Sequence, residues 1–362
     1  MRYKFRYTGQ RKAESPLETG HLRAGFTIIE LLVATAVIGI LIALALPAIQ
    51  SARNSARQLQ CLNNMRNVGL GILQETDSAN RFPACGYYGD GTPATFGQYR
   101  SWVVDVLPYL DQSNIFTAWD FDLSCKDPVN VPLANRHIAV LTCPDDFSVV
   151  PGQGNLSYVL NSGIGFTAEI AGIHDCPVGP QSGKLDLNGN GITCNSSTSG
   201  DGTPSDRELF FHMGLFYNET WKGETRAERH YTIAGITDGT SNTMLISENI
   251  RTGYDPASPA SNWASPSPFL TSFYIGNPCQ NGSCSAGNVD YNRANSGTSA
   301  INAGLKQPEG AAPFPNSLHA GGVNVGYCDG HFEFLSENID GKVYASLASP
   351  QGQSLSGTSL EQ

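Results

Sequence analysis

Residues 31–49 are nineteen consecutive positions without a charge, and directly before them stands one carboxylate, Glu30, in the stretch GFTIIELLVATAVIGILIALALPAIQ. At helical rise the uncharged run spans about 28 Å, close to the hydrocarbon thickness of a bilayer. A helix apolar on every side has to be covered by lipid or by other protein, so this run constrains the chain more than any other feature. Three readings compete for it. A secretory signal peptide would be cut at the A-x-A of Ala43, Leu44 and Ala45, although the run is longer than an ordinary signal core. A signal anchor would keep its basic flank inside and the body outside. Neither gives Glu30 a purpose, and an acid within a membrane costs about 3 kcal/mol on insertion scales. The third reading makes the acid functional, as intramembrane carboxylates usually are.

Charge is divided in the same direction. Residues 1–25 hold six Lys/Arg against Glu14 and Glu18, a net +4 in a chain whose total is −10, so the remainder carries −14. A basic leader before an acidic body suits an exported domain. It argues against nucleic acid as a partner, because general nucleic-acid affinity comes from neutralising phosphates.

The residues G-F-T-I-I-E-L-L resemble the cleavage and methylation motif of type IV prepilins: Gly25 before the cut, Phe26 as the new, methylated N-terminus, and Glu30 as the family's acid. The resemblance implies a prepilin peptidase and the inner membrane as partners, with the N-terminus cytoplasmic and the body periplasmic or extracellular. It also implies other pilin-like subunits, in a homo- or hetero-filament. In the assembled filament the new ammonium of Phe26 would meet the acid of a neighbouring subunit, pairing an otherwise costly charge. Glu30 would also lie in the first helical turn, where a negative charge is favourable. Pro47 falls where such helices commonly bend. Beyond it Leu59, Leu62, Met65, Gly69, Ile72 and Leu73 recur every three to four residues, predicting a helix that continues to about Glu75. The resulting division is a leader at 1–25, a membrane and stalk helix at 26–76, a body at 77–340 and a C-terminal helix or tail at 341–362.

The body has the marks of short strands and many turns, with 39 Gly, 21 Pro and only 15% charged residues. SWVVDVLPYLDQ predicts a short helix broken at Pro108. Strands are expected at 137–143, 156–162, 230–236 and 243–249, the last two as a hairpin across TDGTSN. VNVGYC and HFEFLS alternate around Asp329-Gly330, predicting a hairpin with a two-residue type I′ turn. Residues 172–206 and 251–312 are polar and glycine-rich, and are expected to be surface loops or insertions. The fold class that follows is α+β, a long pilin-like helix packed on a β-rich body.

This body, from QSARNSARQLQCLNNMRNVGLGI through LTCPDD and ITDGTSNTMLISE to FPNSLHAGGVNVGYCDGHFEFLS, resembles the chiefly planctomycete prepilin-like family named for a His-X9-Asp-Gly motif. His319, nine intervening residues, Asp329 and Gly330 match that spacing. The resemblance implies pilin-like processing and export, and no established biochemistry.

Candidate chemistry is sparse. His319, Asp329 and His331 are of the types that bind metals or move protons, but Asp-Gly is also what a tight turn demands, and His319 is readily a structural bond to its own loop. Asp186, Asn188 and Asn190, with the carbonyl of Ile192, occupy the opening positions of an EF-hand-like loop, which makes calcium the one cofactor to consider; position 12 is Ser197 rather than glutamate. No phosphate loop, nucleophile elbow or H-E-x-x-H pair occurs. Nine cysteines are many for a cytosolic chain. With Cys61 set apart beside the apolar run, the other eight are expected to form four disulfides, Cys176–Cys194 and Cys279–Cys284 being the natural local pairs. The leading expectation is a non-enzymatic pilin-like or pseudopilin-like subunit of a pilus or type II secretion-type filament. The alternative is a membrane-tethered extracellular binding module, an adhesin or a glycan- or calcium-binding domain, that uses the helix only as an anchor.

Overall fold

The structure, a computed structural model, describes residues 27–89, 99–170, 173–179, 183–184, 187, 205–222, 225–227, 230–254, 261–276 and 290–352. Its first element is a single helix, α1 (Ile28–Ala79), with Pro47 inside it. The chain divides into two compact units, Met1–Asn54 and Ser55–Gln362. In the first, the helix is long and apolar enough to cross a membrane, and none of its apolar window is buried. Thr27 accepts a bond from the Glu30 N–H through Oγ1 (3.3 Å), and the Glu30 carboxylate accepts from the Thr27 N–H (2.9 Å) and Oγ1 (2.8 Å). This reciprocal capping box gives the first turn the acid that its orphan N–H groups favour.

In the second unit, α1 buries Cys61, Met65, Val68, Gly69, Gly71, Ile72 and Thr76. This is the helical stripe expected: Met65, Gly69 and Ile72 are buried and Leu62 and Leu73 pack half-buried on the core, while Leu59 alone departs, 60% exposed because it lies off the Cys61–Met65 face. The helix also runs beyond Glu75, ending at Asn80 in a left-handed conformation (φ 53°), a position asparagine tolerates.

The body follows with β1 (Gly86–Gly89), β2 (Arg100–Ser101), α2 (Trp102–Val106), α3 (Ser113–Ala118) and α4 (Val131–Ala134). Next come β3 (Tyr158–Asn161), β4 (Phe166–Ile170), β5 (Ile173–Gly179), β6 (Gly183–Lys184) and α5 (Asp206–His212). Then come β7 (Glu219–Lys222), β8 (Thr225–Ala227), β9 (Met244–Glu248), α6 (Pro268–Thr271) and β10 (Ser272–Phe273). The order ends with β11 (Gly322–Tyr327), β12 (Phe332–Ser336) and α7 (Gly341–Ala348). The central sheet has the order β10-β3-β9-β11-β12, antiparallel except for β10 against β3. A four-stranded sheet runs β2-β1-β7-β8 and a three-stranded one β4-β5-β6. The fold is α+β, with the part of α1 that belongs to the second unit laid against the central sheet. At Gly69 an added Cβ would stand 2.6 Å from the Phe332 ring, so the missing side chain is what lets β12 reach the helix.

Several local expectations are corrected. Residues 137–143 form a 3-10 turn, Ala139–Leu141, rather than a strand. Their backbone bonds do not form a strand ladder: the Leu141 N–H donates locally to Ile138 O (2.9 Å), Leu141 O accepts a single bond from the Ser157 N–H (2.9 Å), and the Asn64 side chain donates to Thr142 O (2.9 Å). Residues 230–236 also form a 3-10 turn, Ile233–Gly235, not half of a hairpin. Both edges of β9 are already taken, by β3 and β11, so a hairpin partner has no place there. The β11–β12 hairpin forms as expected, but with three loop residues: the Tyr327 N–H donates to His331 O and the Gly330 N–H to Tyr327 O, both at 3.0 Å. Only Gly330 in that loop has positive φ (85°), the signature of a type I turn closed by a glycine bulge rather than of type I′. The 251–312 stretch is not simply surface. Trp263, Phe273 and Tyr274 are fully buried and β10 completes the sheet edge. Residues 172–206 likewise supply β5 and β6.

The cysteine pairing is corrected as well. Cys61 bonds to Cys143, 82 positions away, while Cys85, Cys125 and Cys328 are buried free thiols. Local spacing said nothing about which segment α1 would meet. The pairs Cys176–Cys194 and Cys279–Cys284 lie outside the described side chains.

Candidate functional site

The disulfide marks where α1 meets the body. Arg57, Cys61 and Asn64 lie three or four residues apart on one helix face, and all three engage the segment 139–145. Arg57 Nε donates to Asp145 Oδ1 in a short contact. Tyr158, on β3, donates its hydroxyl to the Cys61 carbonyl at 3.0 Å.

Against this joint sits His319, held before β11 by its own N–H to Ser317 Oγ (3.1 Å) and turned inward. Its Nδ1 is 3.4 Å from Asp145 Oδ2 and its Nε2 is 3.2 Å from Glu248 Oε1. The Cys143 sulfur is 3.7 Å from Nε2. Glu248 ends β9 at zero exposure, and Asn324 on β11 donates to it twice, from its N–H (2.9 Å) and from Nδ2 (3.0 Å). Four parts of the fold converge here: α1, the 143–145 segment, β9 and the start of β11.

Burial by itself would push the His319 pKa down. The hydrogen bond and charge of Glu248, with the charge of Asp145, outweigh both burial and the nearby Arg57, so it is raised. The oxidised site is thus an acid–imidazole–acid brace in which the ring spans two carboxylates. The free thiols offer little reactivity, since burial pushes Cys85 to about 11 and Cys125 to about 12.

Asp329 and His331 are placed elsewhere. The Asp329 carboxylate caps its own turn, accepting the His331 N–H at 3.0 Å and lying 2.6 Å from His331 Nδ1, and His331 stacks on Tyr327. The candidate triplet is therefore split, with His319 in the interior and Asp329 and His331 in an exposed turn. Gly25 and Phe26, and Asp186, Asn188, Asn190 and Ile192, lie outside the described residues. Sequence reasoning missed Arg57, Asp145, Glu248 and Asn324. One signal was present: Glu248 is the sole charge in MLISE, a strand with every position buried.

Residues 50–342 match the family described as a protein of unknown function (DUF1559), and residues 21–46 match the prokaryotic N-terminal methylation motif. No curated protein and no solved structure matches the chain. The family match covers the body and every residue of the brace, the motif match covers Gly25, Phe26 and Glu30, and on both counts this is a type IV pilin-like chain that belongs to the DUF1559 family.

Proposed function

We propose that the chain is a filament subunit, cut after Gly25, methylated on Phe26, and assembled with other pilin-like subunits through its apolar helix into a pilus or type II secretion-type filament. One observation carries the reading: a helix exposed and apolar all round over residues 28–49 begins with a single acid that its own first turn already holds. Lipid covers such a surface before assembly and neighbouring helices cover it afterwards. Cleavage puts an ammonium at Phe26, one residue before the Thr27 that bonds Glu30, so each subunit would present a cation and an acid at the same end of its helix. The acidic body then lies outside the inner membrane, and the role is structural rather than catalytic.

Mass spectrometry of the mature chain from cells with an active prepilin peptidase should give an N-terminus at Phe26 bearing one methyl group. An intact leader, or a cut after Ala45, removes the proposal. Glu30→Ala should leave the chain in the membrane while reducing its recovery in sheared filaments; unchanged recovery would take Glu30 out of assembly, and filaments that never contain the wild-type chain would make the helix an anchor and the body a tethered binding module.

A further inference from the structure

We propose that Cys61, Cys143, His319 and Glu248 are the ligands of a buried metal site that opens when the disulfide is reduced, taking one thiolate-preferring divalent cation of the zinc class. The ligand atoms of the four residues all lie within 4.8 Å of one another. Tetrahedral zinc, with bonds of about 2.0–2.1 Å to nitrogen or oxygen and 2.3 Å to sulfur, holds its N and O ligands about 3.3 Å apart and its N and S ligands about 3.6 Å apart. Here Nε2 stands 3.2 Å from Oε1 and 3.7 Å from the Cys143 sulfur, so both distances from the ring nitrogen already match that spacing. Once the disulfide is reduced, the two sulfurs must move apart to about 3.8 Å to ligate one ion.

The surroundings fit a closed structural site, which takes four protein ligands and no water. Cys61, Cys143, Glu248 and His319 are all buried. A ligating histidine usually gives its other ring N–H to a carboxylate, and Asp145 stands beside Nδ1 to receive it. Asn324 fixes the Glu248 carboxylate by two bonds. Arg57 neutralises Asp145 from the far side. The ligands come from α1, the 143 segment, β9 and the loop before β11, so a metal would hold the same joint that the disulfide holds.

The chemistry balances with a thiol reductant. Two RSH are oxidised to RSSR as the Cys61–Cys143 bond takes up two electrons and two protons. The two thiols then release those protons to solvent as they ligate the cation, any proton on Nε2 leaves with them, and His319 binds as the neutral ring through Nε2 with its remaining proton on Nδ1.

The test uses the full chain in detergent, reduced anaerobically by a thiol that is then removed, and titrated with Co2+. The reduced chain should take one tightly bound cobalt, with a thiolate charge-transfer band that added Zn2+ abolishes, and the oxidised chain none. Cys61→Ser and Cys143→Ser should each weaken binding at least about tenfold and diminish the band, and Asp145→Asn should weaken it about ten- to a hundredfold while leaving the band's form unchanged. The proposal fails if reduced wild type binds no cobalt, or if Cys143→Ser binds as tightly with an equal band, which would assign the metal to other cysteines. Because reduction can also loosen the fold, near-ultraviolet circular dichroism is followed during reduction with Zn2+ and with a chelator. Retention with zinc and loss with the chelator is expected. Loss in both overturns the proposal.

Discussion

Glu248 is a carboxylate at zero exposure, held by two bonds from Asn324 and one contact from His319. Leaving a buried charge short of its partner is among the costliest single changes a fold can suffer. His319→Ala should therefore lower the unfolding free energy of the oxidised chain by about 3 kcal/mol. Asp329→Ala, which breaks a local contact at an exposed turn, should cost under about 1 kcal/mol. Denaturant unfolding of both variants in detergent distinguishes the two halves of the nine-residue spacing, and equal losses would mean that the turn carries as much as the interior. The spacing was legible because it is local. The partners of His319 were not, since Asp145 and Glu248 stand 174 and 71 positions before it, and side-chain direction across such distances is decided only by packing.

Between elements, the hairpin of β11 and β12 shows how far local chemistry reaches. Its Asp-Gly turn and alternating flanks were sufficient to predict the pair, and Gly330 at φ 85° shows why glycine is needed there. An L-residue in that conformation costs about 1–2 kcal/mol, so Gly330→Ala should destabilise the chain by that amount and Gly330→Asn by less. A neutral Gly330→Ala in chemical denaturation would mean that the three-residue loop does not form in solution. The two segments wrongly expected as strands, 137–143 and 230–236, have strand-like composition. They fail because β9 is already paired on both sides, and because Cys143 is tied to α1. A strand needs a free edge as well as the right residues.

Over the whole molecule the carboxylates set the pH response. Burial, reinforced by Asp105 and opposed by Arg81, raises Glu75 from an ordinary value of 4.5 to about 7. Burial, reinforced by Asp146 and opposed by Arg251, raises Glu309 from 4.5 to about 8. A raised folded-state pKa means that the folded chain binds the proton more tightly than the unfolded chain. The stability this contributes is fully present below 4.5 and is lost as pH rises through about 7 and about 8. The midpoint of thermal unfolding of the oxidised chain should therefore fall between about pH 5.5 and about pH 8.5. His319, also raised, acts in the same direction. The Glu75→Gln, Glu309→Gln double variant should flatten the slope, and a double variant with an undiminished slope would place the response in other groups.

Certain properties follow from the sequence alone because they depend on composition and short spacing. They are an apolar helix with one acid at its start, the basic-to-acidic reversal, the amphipathic continuation, the terminal hairpin and the α+β class. Tertiary structure alone decided that Cys61 bonds to Cys143, that Trp263 and Phe273 of a polar-looking stretch belong to the core, and that His319 faces Glu248 while Asp329 faces solvent. The physical reason is separation along the chain. Helical period and turn chemistry act over a few residues, whereas a buried charge or a disulfide acquires its partner only when distant segments are packed against each other.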